Sequence, residues 1–237
     1  TFGDNGSVID SYNNVHKLDL TEDMYQQSLR GGMIYTMNLP VKKAGAYQLR
    51  VAVRDAATER TGSASQFVEV PDLTKERLAL SGLAVAAVAR DEATKASAPA
   101  NASTGSATRS DDPAAETPAS EEELLGNPAR RRFRYHSTIA FGYVVYNPRL
   151  DKSANRPQLT TQARIFRDGQ LLYNGAEKPF QFSAQPPDPK RIDVFGRLQL
   201  GSNLSPGEYV LQVIVTDTLR NDRHRIATQW VDFEIYK

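Results

Sequence analysis

The sequence has no cysteine, which removes disulfides, thiolate metal sites and cysteine nucleophiles from the chemistry open to it. Histidine is scarce too, at three in 237 residues. His16, His136 and His224 have no second histidine or carboxylate at metal-ligand or triad spacing, so each reads as a surface residue. The single tryptophan, Trp230, limits any aromatic platform. No apolar run reaches the roughly 18 residues of a membrane-spanning helix. The longest, LALSGLAVAAVA at 78–89, is broken by Ser81 and Gly82. An excess of one charge sign is also missing. With 29 basic and 28 acidic residues the net charge is +1, which argues against partners made of nucleic-acid phosphate or anionic lipid. No glycine-rich loop opens a helix after a strand, so nucleotide fingerprints are absent. Without nucleophile, base and orienting acid in one constellation, the chain reads as non-enzymatic, with no cofactor and no metal site.

What the sequence does contain is a repeat. GAYQLRVAVRD at 45–55 returns as GEYVLQVIVTD at 207–217, with Gly, Tyr, Leu, Val, Val and Asp in the same places. The shared residues alternate with variable ones, the period-2 pattern of a half-buried strand. Each copy follows a turn and leads to a further strand, SQFVEV at 65–70 and TQWVDFEI at 228–235. That order fits the last hairpin of an immunoglobulin-like β-sandwich used twice. It assigns Tyr47 and Tyr209 to tyrosine corners, in which the hydroxyl returns to upstream backbone. Asp55 and Asp217 are expected to close their strands at turns.

Other segments add strands. In RRRFRYHSTIAFGYVVY, Phe133, Tyr135, Ile139, Phe141, Tyr143 and Val145 share one parity, and His136 falls on the polar one. RIFRDGQLLY places Asp168-Gly169 between apolar runs, a strong hairpin signal, and FGDNGSVID repeats the device with Asn5-Gly6. One helix is expected at TEDMYQQSLRGG, capped by Thr21, ended by Gly31 and burying Met24, Tyr25 and Leu29. Between 93 and 120, 21 of 28 residues are Ala, Ser, Thr or Pro, and none is aromatic, Leu, Ile or Val. Such a stretch has little to bury and reads as a flexible insertion over 93–128. The expected architecture is all-β, with two immunoglobulin-like (fibronectin III-like) sandwiches and one short helix. Residues 1–72 form the first sandwich, N-terminally truncated; 73–92 connect to and begin the second; 129–237 complete it. The start at Thr1, with neither Met nor a basic leader, suggests a mature or trimmed segment.

Taken in order, VAVRDAATERTGSASQFVEVPDL, LALSGL, RRFR, VVYNPRLD, RPQLTTQARIFRDGQLLY, PGEYVLQVIVTD and TQWVDFEI resemble the C-terminal region of the von Willebrand factor A-related proteins of acidobacteria. The resemblance implies a non-catalytic bacterial protein, periplasmic or at the cell surface. Family members carry an upstream A domain with a metal-dependent adhesion site. Asp151-x-Ser153-x-Asn155 looks like part of that motif but lacks the apolar strand before it, so no metal site is carried over.

The variable half of the repeat points to contacts. Val210 and Ile214 take outward positions held by Gln48 and Ala52 in the first copy. Trp230 and Tyr236 share the outward parity of the last strand, and Phe67 is matched with Trp230. Trp230, Val210, Ile214, Tyr236 and Phe67 form the candidate interaction surface, and other protein subunits are the expected partners. The rival reading is a carbohydrate-binding accessory module, in which exposed aromatics stack on sugar rings.

Overall fold

The computed structural model describes residues 1–3, 6–33, 35, 37–88, 116–118, 131–180 and 188–237. It divides into two units, Thr1–Asp72 and Leu73–Lys237. The fold is all-β, with a single α-helix among the described residues.

The first unit is one antiparallel sheet of β1 (Phe2–Gly3), β2 (Gly45–Arg54) and β3 (Thr61–Val70), in that order. A helix, α1 (Glu22–Gly31), lies between β1 and β2 in the chain. Thr21 caps it, accepting a hydrogen bond from the Met24 N–H at 3.4 Å, and Glu22 and Asp23 sit at its positive end. The helix ends one residue later than expected: Gly32, at φ 75°, donates its N–H to the Ser28 carbonyl. Its apolar stripe is not buried. Met24, Tyr25 and Leu29 are all exposed, because no sheet face lies over them. Where a truncated sandwich was expected over 1–72, there is a single sheet, and none of its described residues is buried.

The second unit has two sheets. One has the order β10-β9-β13-β14-β7, with β11 beside β9. Its strands are β7 (Arg132–Arg134), β9 (Leu159–Arg167), β10 (Gln170–Asn174), β11 (Lys178–Pro179), β13 (Gly207–Asp217) and β14 (Ile226–Tyr236). The other has the order β4-β8-β12-β6, with β5 beside β8. These are β4 (Ala79–Leu80), β5 (Ala84–Ala87), β6 (Glu116–Pro118), β8 (Thr138–Tyr146) and β12 (Arg191–Gln199). Ile139, Phe141, Tyr143, Val145, Ile192 and Leu198 from this sheet join Ile165, Leu211, Val213, Val215, Val231, Phe233 and Ile235 from the other in one buried cluster. Two sheets sharing one core make a β-sandwich.

Two sequence expectations change here. RRRFRYHSTIAFGYVVY is not one strand. It breaks at His136, whose φ of 59° and the Ser137 N–H to Arg134 carbonyl bond make a turn. β7 therefore stays in one sheet, parallel to β14, while β8 enters the other. Within the stretch read as a flexible insertion, Glu116–Pro118 pairs with Gly196 to Leu198 of β12; the rest of 93–128 lies outside the described residues.

The β9–β10 hairpin turns at Asp168 (φ 51°) and Gly169 (φ 75°), the two positive values a tight hairpin requires. Its counterpart in the first unit shows the Phe2–Val8 bridge and Gly6 at φ 76°, while Asp4 and Asn5 lie outside the described residues.

Candidate functional site

The repeated residues do structural work that can be followed atom by atom. Tyr209 Oη donates to the Ser205 carbonyl at 2.5 Å, and Tyr47 Oη to the Lys43 carbonyl at 2.6 Å. In both copies the hydroxyl reaches back four residues. The glycine that opens each strand has the same unusual backbone, φ 151° at Gly45 and 150° at Gly207, which side chains other than glycine rarely adopt. At Gly207 a Cβ would also stand 2.8 Å from Arg167 Nη2. That guanidinium donates to Ser205 Oγ at 2.6 Å and to Tyr209 Oη at 3.2 Å, so the second corner has a clamp.

The two terminal aspartates differ more. Asp55 accepts from the Thr58 hydroxyl at 2.6 Å and the Ala57 N–H at 2.9 Å, and those bonds, the hydroxyl first, hold its pKa below the ordinary value. Asp217 is fully buried. It accepts from the Arg149 N–H at 2.7 Å, the Leu219 N–H at 3.0 Å and Arg220 Nε at 3.1 Å. Arg220 then donates to the carbonyls of Glu76 at 2.8 Å and Asn147 at 3.0 Å. One ion pair thus ties three chain segments at one end of the sandwich.

On the outer face of the six-stranded sheet, register decides which side chains meet. Val210 lies between Phe166 of β9 and Asp232 of β14; Gln212 lies between Arg164 and Trp230; Ile214 lies between Gln162 and Thr228. Trp230 is therefore diagonal to both Val210 and Ile214, about 7 Å across the ladder and within reach of an indole. Trp230 is 52% exposed, and Val210 and Ile214 are half-buried. Across the hairpin, Phe166 meets Leu171, which is also exposed. The apolar stripe therefore runs Leu171, Phe166, Val210, Trp230, Ile214. Sequence reasoning missed Phe166 and Leu171. The Asp168-Gly169 turn carried the signal, since it sets them opposite each other.

Two of the five proposed surface residues do not join this stripe. Tyr236 lies six residues along β14 from Trp230, roughly 20 Å away, with the Arg132 guanidinium 5.5 Å above its ring. Phe67 belongs to the first unit, opposite Gln48. Its partner by register is Asp232, opposite Val210, and the true counterpart of Trp230 is Ser65. The connection at 217–225 is longer than the one at 55–60, so counting from the aspartates misaligns the final strands.

Two arginines of the basic run at 129–134, Arg131 and Arg132, are held within the sheet. Arg132 grips Glu234 through Nε at 2.6 Å and Nη2 at 3.1 Å, and Arg131 pairs with Asp232 at 2.8 Å. Glu234's hydrogen bond raises the pKa of Arg132 further. Beside these pairs Phe166, Asp168, Glu208, Val210, Asp232 and Glu234 line an open groove of about 590 Å³.

The chemistry-bearing candidates stay apart. Asp151 accepts from the Ser153 hydroxyl and the N–H groups of Ser153 and Ala154, a self-contained turn that lowers its pKa, the hydroxyl contributing most. His16 meets Tyr35 with tilted rings, His136 meets Tyr135 edge-on, and His224 accepts from Arg223. Desolvation, then the nearby Arg77 and Arg223 charges, lower the His224 pKa. Among the described residues, no three His, Asp or Glu side chains gather as metal ligands would, and no helix is long and apolar enough to cross a membrane. Comparison with protein-family models and with curated proteins returned no match to this chain.

Proposed function

We propose that this chain is a non-catalytic interaction or structural subunit of a bacterial envelope assembly, working outside the cytoplasm. It meets its partner protein through the outer face of the six-stranded sheet. The observation that carries this reading is Trp230. It stands half-exposed on a regular strand, diagonal to Val210 and Ile214, at one end of a stripe that Phe166 and Leu171 continue. A large aromatic flanked by aliphatic side chains on a rigid sheet, with paired charges at its rim, has the make-up of a contact centre. The place outside the cytoplasm rests on the resemblance to the von Willebrand factor A-related proteins of acidobacteria. The carbohydrate reading is less favoured, because Trp230 and Tyr236 are roughly 20 Å apart, too far to form one stacking platform, and the Arg132 guanidinium stands 5.5 Å from the tyrosine ring.

Crosslinking and co-purification from the native envelope test the proposal. Trp230→Ser should abolish recovery of the neighbouring subunit while leaving the unfolding midpoint nearly unchanged. Full recovery of the complex with that variant would sink the reading.

A further inference from the structure

The apolar stripe on the outer face has a charged margin, and its charges do not balance. Phe166 and Val210 pair side by side within the stripe. Two residues along β13 from Val210, on the same face, stands Glu208, and the ladder sets it directly opposite Glu234. Like charges facing each other across antiparallel strands oppose folding. Asp168, at the β9–β10 turn, lines the same groove.

The cations of that groove are already engaged. Arg132 stands opposite Glu234 and holds it through two hydrogen bonds. Arg131 pairs with Asp232 at 2.8 Å. Arg167 gives its Nη1 to Ser205 and Tyr209 and reaches Asp168 only through Nε, at 3.6 Å. The groove thus sets four carboxylates, Asp168, Glu208, Asp232 and Glu234, against three guanidiniums. The one left over is Glu208. It is exposed, and its carboxylate has no hydrogen bond or ion pair among the described residues.

A bare metal ion does not suit this surplus. The carboxylates follow the strand ladder instead of converging, and among the described residues no three gather as oxygen ligands would. The neighbouring wall is apolar. Phe166 and Val210 are half-buried there, a surface on which the methylene stem of a long cationic side chain can lie. The open volume of about 590 Å³ has room for one.

We propose that the groove bounded by Phe166, Val210 and Glu208 receives a lysine or arginine side chain of the partner protein. This inference rests on the reading that the outer face is the contact surface, and it adds the partner's chemistry at that surface. The stem lies on Phe166 and Val210, the charge meets the Glu208 carboxylate, and apolar residues of the partner continue over Trp230 and Ile214. In the free chain Glu208 faces Glu234 at a cost; in the complex the added cation removes it. A carboxylate placed so selects a partner more than it strengthens the fold.

Two measurements separate this inference from the reading beneath it. In the free chain, Glu208→Gln should raise the unfolding midpoint, because one of two facing carboxylates is gone. An unchanged or lower midpoint overturns the proposal, since Glu208 then carries no uncompensated charge. In the native complex, Glu208→Gln should weaken co-purification roughly two- to fivefold at low salt, and Glu208→Lys by more than about tenfold. Added salt should shrink the first difference. If Trp230→Ser abolishes the complex while both Glu208 variants recover it in full, the contact surface stands and the basic side chain is overturned. If Trp230→Ser itself leaves recovery complete, the reading of the face fails, and this inference with it.

Discussion

The β2–β3 and β13–β14 hairpins are built from one plan and live in opposite surroundings. Both open on a glycine near φ 150°, tie a tyrosine hydroxyl to the carbonyl four residues back, and end on an aspartate. Tyr209, Leu211, Val213 and Val215 are buried against a facing sheet, while the described residues over Tyr47, Leu49, Val51 and Val53 form no such sheet. The difference separates what a local pattern does from what a neighbour does. Glycine backbone and tyrosine bond form in either setting, because their partners lie within a few residues. Burial belongs to the second setting alone, because it needs β8, β9 and β12.

The comparison can be broken at its most unequal point, the terminal aspartate. Asp217→Ala leaves the Arg220 guanidinium, 15% exposed, only the longer Asp222 ion pair at 3.7 Å, takes the acceptor from the Arg149 and Leu219 N–H groups, and should cost about 3–5 kcal/mol in denaturant unfolding. Trp230 fluorescence reports that transition, since the only tryptophan lies in the second unit. Asp55→Ala should leave the same transition in place. A smaller but cleaner contrast is Leu211→Ala against Leu49→Ala. The first opens a cavity in the shared core and should cost about 2–5 kcal/mol; the second removes contacts at a half-buried site and should cost under about 1 kcal/mol. Equal losses would mean that Leu49 is covered in solution.

The finest contrast is one of protonation. In the folded chain the Thr58 hydroxyl and the Ala57 and Thr58 N–H groups favour the Asp55 carboxylate, so its pKa is depressed. A depressed carboxylate contributes stability above its unfolded pKa, and that contribution fades as pH falls through the folded value. Carboxyl NMR titration should therefore place Asp55 below the usual aspartate range, and Thr58→Val should move it back up. An unmoved titration would show that the hydroxyl is not the cause.

These contrasts also mark what the sequence could convey. The period-2 runs, the Asp168-Gly169 turn, the Thr21 cap and the Asp-closed strands were legible, because each depends on residues within a turn's length. The apolar stripe was half legible. Parity put Val210, Ile214 and Trp230 on the outer face, but placing Phe166 beside Val210 needed the β9–β13 ladder. Matching Phe67 to Trp230 failed because loop length, not distance from an aspartate, sets the register. The break at His136 was hidden because a positive φ there falls on a residue that carries no turn signature. Burial of Met24, Tyr25 and Leu29 was inferred from helical spacing, which gives a stripe but cannot supply a surface for it to meet.

The parallel pairing of β7 with β14 has a consequence in time. Arg132 and Glu234, joined by two hydrogen bonds, are 102 residues apart in the chain. A ribosome adding about 5–20 residues per second needs roughly 5–20 s to pass from one to the other. Through that interval Phe133, buried against Phe233 in the finished fold, has been made while its cover has not. The half-built sandwich must wait with apolar side chains in water, an interval in which concentration and crowding decide between completion and aggregation.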